Sequence, residues 1–239
     1  MIFSSSRFLL RLLFLLLSGV LPMGLSAQIA VQAPVFAARE TSVYRQTIGK
    51  KVTTNRNELV LVSEGGKTWL ELNERGESTE SFSKIDTRTL QPFYTQTTTT
   101  TPDSQVRRTT EVLSSKIKGT GNQFLVSDIS ALSFTMRGYP FATSPLADLI
   151  FIGSTGPGAG TFSLQIKVLA DETLTVPAGS YLCHHVELTI GGILGALFGS
   201  SNLWFSATSP YMLVRSEGLS AGPGSPKRVI ELQSYSTAK

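Results

Sequence analysis

The stretch Val176–Leu188, VPAGSYLCHHVEL, decides how the rest of the chain is read. Pro177-Ala178-Gly179 is a tight turn, because proline fixes φ and glycine accepts a positive φ. Short runs rich in β-branched and aromatic residues flank it, Glu172–Val176 before and Tyr181–Ile190 after. Successive side chains of a strand point to opposite faces. Cys183, His185 and Glu187 therefore share one face, and Leu182, His184, Val186 and Leu188 the other. The pairing is expected to bury Leu182, Val186 and Leu188. The unit is an antiparallel hairpin, and the chain repeats its pattern in both directions.

Towards the N-terminus, Val43–Thr47, Glu58–Ser63, Thr68–Leu72 and Phe93–Thr101 read as strands. Glu64-Gly65-Gly66 and Asn73-Glu74-Arg75-Gly76 read as the turns between them. The threonine run before Pro102-Asp103 favours extended structure, and Gln105–Leu113 returns from it as a polar hairpin on a solvent-facing part of the sheet. Towards the C-terminus the strands are Phe162–Leu169, Leu203–Ser206, Met212–Glu217 and Arg228–Tyr235. In the middle, Ser144 and Pro145 suit the start of a short helix, ended by the glycine run 153–160. The expected fold is mainly β (α+β): a strongly curved antiparallel sheet, a half-barrel, with one or two short helices.

The first 27 residues have the form of a secretory signal. Arg7 and Arg11 open it, Leu12–Met23 is almost wholly apolar, and Gly24, Ser26 and Ala27 suit signal peptidase, with cleavage after Ser26 or after Ala27. The apolar run is shorter than the ~20 residues that span a bilayer as an anchor. No lipobox cysteine follows it. A single β domain, residues 28–239, in the periplasm or secreted medium is expected, with no transmembrane segment of its own. Without residues 1–27 the formal net charge falls from +4 to +2, and the basic residues are scattered, which argues against nucleic acid. Cys183 is the one cysteine, so no disulfide forms within the chain.

Two stretches carry a resemblance: Asp86–Phe93, DTRTLQPF, and the series from Val176–Leu188 through Leu203–Glu217 to Glu231–Tyr235. They resemble an exported bacterial domain of unknown function, similar in fold to periplasmic lipoprotein carriers of the LolA and LppX type. The resemblance implies a half-barrel whose hollow holds a helix or an apolar ligand. It also implies that one ring of Trp204-Phe205 faces the interior while its neighbour faces a covering element. It implies no reaction.

The chemistry of the residues agrees with a non-enzyme. Gly218-Leu219-Ser220-Ala221-Gly222 matches the G-x-S-x-G elbow of serine hydrolases, but Pro223 and Pro226 follow where a helix is needed and both histidines lie upstream. A hairpin loop explains the match. Cys183, His185 and Glu187 are spaced for a metal on one strand face, yet His184 falls on the opposite face and the chain has no other histidine or cysteine to complete a site. No catalytic, cofactor-binding or metal-binding residue is assigned, and no cofactor is expected.

The remaining candidate is Gly191–Ser201, GGILGALFGSS, an uncharged insert between two strands. As a helix of about ten residues it would be ~15 Å long, half a hydrocarbon core. It stands as a lid over the hollow, a shallow membrane contact or a buried connection. Ile193, Leu194, Leu197, Phe198 and Trp204 are the candidate ligand-binding residues. The expected partner is a lipid or other apolar small molecule, with at most peripheral membrane contact. The alternative is an envelope module that binds another protein.

Overall fold

The computed structural model describes residues 32–90, 92–100, 105–111, 123–126, 129–152, 161–191, 199–220 and 223–238. The expected leader, the Pro102-Asp103 turn, and Ile193, Leu194, Leu197 and Phe198 of the insert lie outside the described residues.

In chain order the strands are β1 (Arg39–Ile48), β2 (Lys51–Glu64), β3 (Lys67–Arg75), β4 (Thr79–Asp86), β5 (Pro92–Thr100), β6 (Gln105–Glu111) and β7 (Gln123–Val126). Helix α1 (Ile129–Thr135) and a 3₁₀ turn (Met136–Gly138) follow. Then come β8 (Leu146–Ile152), β9 (Thr161–Val168), β10 (Glu172–Val176), β11 (Gly179–Ile190), β12 (Ser200–Ser206), β13 (Leu213–Leu219) and β14 (Lys227–Ala238). All belong to one sheet, ordered β6-β5-β4-β3-β2-β1-β14-β13-β12-β11-β9-β8-β7, with β10 beside β11. Only β7 and β8 pair in parallel among the described strands. β9 and β10 share one edge of β11: Glu172–Val176 pairs with its first half and Leu164–Val168 with its second.

The sheet curls hard. The amide of Ala178, in the Pro177-Ala178-Gly179 turn, donates to the carbonyl of Leu232 at 3.1 Å, although β12 and β13 separate β11 from β14 in the sheet. Gly179 has φ 131, which makes that turn available to glycine and strained for other residues.

Helix α1 and the 3₁₀ turn lie inside the curl. Leu132 and Met136 pack among Ile166, Val186, Leu203 and Phe205 on one side. Phe134 packs among Leu59, Leu70, Leu72, Ile85 and Leu90 on the other. Arg137 carries its charge into this interior. Its Nη1 meets Glu40 Oε2 at 2.7 Å, and both side chains are only 2% exposed. The guanidinium lies 4.6 Å from the Phe134 ring centre, which adds a cation–π contact. The entering segment is held here too, the Gln32 amide donating to the Gly138 carbonyl at 3.0 Å.

The Asp86–Phe93 turn supports the helix from the sheet. Asp86 Oδ1 accepts the amides of Arg88 and Thr89 at 2.8 and 3.1 Å. This brings Leu90 to φ 54, fully buried, where its carbonyl accepts the Thr135 hydroxyl at 2.8 Å. A left-handed leucine costs about 1–2 kcal/mol, and burying its side chain contributes about 1.5–3 kcal/mol.

Three expectations are corrected. The segment after Pro145 is strand β8, not a helix: Leu146–Ile152 pairs along its length with β9, and that pairing overrides the local helix-start signal. The helix lies earlier, at Ile129–Thr135. Asn73-Glu74-Arg75 is not a turn, because β3 runs on to Arg75 between β2 and β4. Leu182 is 54% exposed while Val186 and Leu188 are buried. The interior filling ends at Phe141, whose ring stacks on His184 at 4.5 Å, one step short of Leu182 on that face.

Removing one partner of a buried ion pair leaves an uncompensated charge and costs about 3–5 kcal/mol. Glu40→Ala should therefore lower the free energy of urea unfolding by about that amount. The double variant Glu40→Leu/Arg137→Met should recover most of it. A Glu40→Ala midpoint equal to wild type would show that the pair carries no stability.

Candidate ligand-binding site

The face of the sheet that holds the core changes character along its strands. On β1 the inward series is Glu40, Ser42, Tyr44, Gln46, Ile48; on β2, read across the same rows, it is Leu59, Asn57, Asn55, Thr53, Lys51. β3 continues from Leu70 and Leu72 to Glu74, and β4 from Ile85 and Ser83 to Ser81 and Thr79. The half towards Glu40, Leu72 and Ile85 is covered by α1. The other half is left open and encloses a hollow of about 460 Å³. This is within the size range of small-molecule pockets.

Two unlike walls bound it. Asn55, Asn57, Glu74 and Ser81 form the polar wall, and Leu203, Leu213 and Ile230 the apolar one, with Ser133 of α1 and Tyr44 between them. The polar wall is knit together. Asn57 Nδ2 donates to Glu74 Oε1 at 3.0 Å, and the Ser81 hydroxyl donates to Glu74 Oε2 at 2.8 Å. Gly76 lets the chain pass Asn55 closely, since a Cβ there would stand 3.1 Å from Asn55 Oδ1. The Tyr44 hydroxyl donates to the Leu213 carbonyl at 3.1 Å; burial pushes its pKa up to about 12 against the lowering effect of Arg137, so it remains a donor. At the mouth, Lys51, the first residue of β2, pairs with Glu77 of the β3–β4 turn.

Such a lining is of the kind that suits a small molecule. Its apolar wall excludes water from a ligand body while carboxamides, a hydroxyl and a carboxylate offer directed hydrogen bonds. The alternation that produces it runs against the usual pattern. Val52 points outward and is 60% exposed, while Thr53, Asn55 and Asn57 point in. The signal was present as Thr53-x-Asn55-x-Asn57, a polar series with strand period, but alternation is ordinarily read with apolar residues inside.

Trp204, the one candidate residue within the described part, is not in the lining. It stands on the face opposite Leu203 and Phe205, where its indole N–H donates to Glu172 Oε1 at 2.6 Å and its ring stacks on His185 at 4.5 Å. Phe205 takes the interior position. Ser220 lies in the β13–β14 connection, its amide donating to the Pro226 carbonyl at 3.0 Å, and β14 follows rather than a helix.

No family model and no curated protein matches the chain. Solved structures do. The fold is similar to a β-barrel-like protein of the domain of unknown function DUF1849 from Brucella abortus, at 8% identity and TM-score 0.47, over 88% of this chain and all (100%) of that one. It is similar to a DUF1329 family protein from Desulfovibrio piger at 10% identity and TM-score 0.33, over 84% and 86% of the two chains. A protein of YmcC-like fold from Bacteroides fragilis matches at 11% identity and TM-score 0.36, over 87% and 100%. None of these three is named as a lipoprotein carrier. No helix among the described residues is long and apolar enough to cross a membrane.

The two histidines of β11 take opposite faces: beside Phe141, His184 Nδ1 meets Asp171 Oδ1 at 2.8 Å, while beside Trp204, His185 bridges Glu172 Oε1 at 3.1 Å and Asn202 Oδ1 at 2.8 Å. Cys183 beside them is fully buried, and burial, then the Glu172 and Asp171 carboxylates, push its thiol up to about 11. At pH 8 only about one thiol in a thousand is then ionised, and the thiolate is the reactive form. The native protein should leave iodoacetamide and dithionitrobenzoate unreacted at pH 8, and react with one equivalent once unfolded in guanidinium. Rapid native labelling would contradict this burial.

Proposed function

We propose that this protein is a non-enzymatic, exported binding protein that holds a small amphipathic molecule in the hollow between β1–β4 and β12–β14. The observation that carries the reading is the pair of opposed walls, one with Leu203, Leu213 and Ile230 and the other with Asn55, Asn57 and Glu74. A lipid or other apolar molecule is the ligand expected from the sequence; one without a polar part would leave Glu74, Asn57 and Ser81 facing hydrocarbon. Their mutual hydrogen bonds meet only part of their bonding capacity, and covering a carboxylate with hydrocarbon removes its solvation. A ligand with a lipid-like body and a hydrogen-bonding part satisfies both walls. Export rests on the form of residues 1–27 alone.

Native mass spectrometry on protein recovered from envelopes tests the reading. A mass excess of one small molecule, released on unfolding, is expected. Ile230→Trp fills the hollow from β14 and should abolish the excess while leaving the thermal midpoint within a few degrees. A stable protein partner in place of the small molecule would favour the envelope-module alternative. An excess that survives Ile230→Trp would place the ligand elsewhere.

A further inference from the structure

The arginines whose side chains are described fall into two groups, with one exception. Arg39, Arg45, Arg75, Arg137 and Arg215 each lie within ion-pair distance of a glutamate. Arg56 and Arg88 stand exposed to solvent. Arg228 belongs to neither group. It is half-buried, lines the hollow, and has no ion pair and no side-chain hydrogen bond among the described residues.

Its position follows from the register. Arg228 is opposite Ile48 on one side and Gly218 on the other, and Ile48 is in turn opposite Lys51. Gly218 offers the guanidinium no side chain, and its Cβ position is taken by Ser201, whose Oγ would lie 2.4 Å from it. Two residues further along β14, Ile230 faces the same way, ~7 Å deeper in the hollow. The two carboxylates that line the hollow are already engaged: Glu74 by Asn57 and Ser81, and Glu77 by Lys51.

A guanidinium stays protonated at every physiological pH, so it cannot escape burial by losing its proton. Desolvation pulls its pKa down from the ordinary value without removing the charge. A half-buried charge is ordinarily paired, and its fork of donors matches the two oxygens of a carboxylate or phosphate.

Building on the hollow as the binding site, we propose that Arg228 is the anchor for an anionic group of the ligand. The ligand is then an amphiphile with a carboxylate or phosphate at the mouth and an apolar body running inward past Ile230 to Leu213 and Leu203. Lys51, on the other side of Ile48, adds positive potential at the same level.

Three probes of equal chain length separate the parts of this claim: octanol, octanoate and octyl phosphate. Each is titrated into the full mature chain, followed by the methyl resonances of Leu203, Leu213 and Ile230 and by calorimetry. Octanol should shift those methyls and bind weakly. At least one anion should bind roughly tenfold tighter or more, the scale of a charge-assisted hydrogen bond. The tighter of the two anions identifies the headgroup. Arg228→Gln should remove that advantage and leave octanol binding unchanged, and Arg228→Lys should retain part of it. Equal affinities for the three probes, or an equal loss of all three in Arg228→Gln, would overturn the anchor while leaving the hollow as the site. No methyl shift with any probe would overturn the hollow reading and the anchor with it.

Discussion

A charge buried inside a curled sheet must be answered there, and in this protein Glu40 answers Arg137 at 2.7 Å. The pair ties the 3₁₀ turn after α1 to the first strand, across 97 residues of chain. Everything inside the curl is arranged around that tie. With Arg137 fixed, Phe134 faces the β2–β4 side, Leu132 and Met136 face the β9–β12 side, and Ser133 is left at the floor of the hollow. Buried pairs contribute little net energy compared with an apolar replacement. Their strength lies in direction, since a helix held only by apolar contacts can rotate or slide at small cost.

The same strands serve as core at one end and as the polar wall of the hollow at the other. β2 changes from Leu59 to Asn57, and β3 from Leu72 to Glu74, within one step on the inner face. The core end supplies rigidity, and the polar end carries the side chains of the proposed binding site on the same strands. A wall built on paired strands also holds its side chains more closely in place than a loop does. The hydrogen bonds from Asn57 and Ser81 to Glu74 are of this kind, running between neighbouring strands.

Much of the strand pattern was legible, because β-branched runs and glycine or proline turns mark strands whatever face they bury. Val176–Leu188 is a hairpin with the alternation read from it, and Phe205 and Trp204 take opposite faces of β12, each buried in its own cluster. The failures share a cause. Leu146–Ile152 carries a helix-start signal that strand pairing overrides, and Asn73-Glu74-Arg75 has turn residues held in a strand by partners on both sides. The hollow was hidden because its wall inverts the usual rule, with Val52 outside and Thr53, Asn55 and Asn57 inside. The described lining is drawn from β1–β4, α1 and β12–β14, and the apolar residues of the Gly191–Ser201 insert lie outside the described residues. Arg228 could not be singled out either, since being unpaired is a property of surroundings and not of sequence.

The sheet begins at β6 and ends at β7, and these two strands are not neighbours. In a closed barrel the number of strands and their stagger set the girth, and changing it means breaking a ladder of hydrogen bonds. Here there is a seam instead. Girth is governed by coiling, and coiling changes through small twists shared over many strand pairs. The clasp between Ala178 and Leu232 restrains only one place in the curl. The hollow therefore has a soft gauge: a change in its width costs twist and leaves the strand ladders whole.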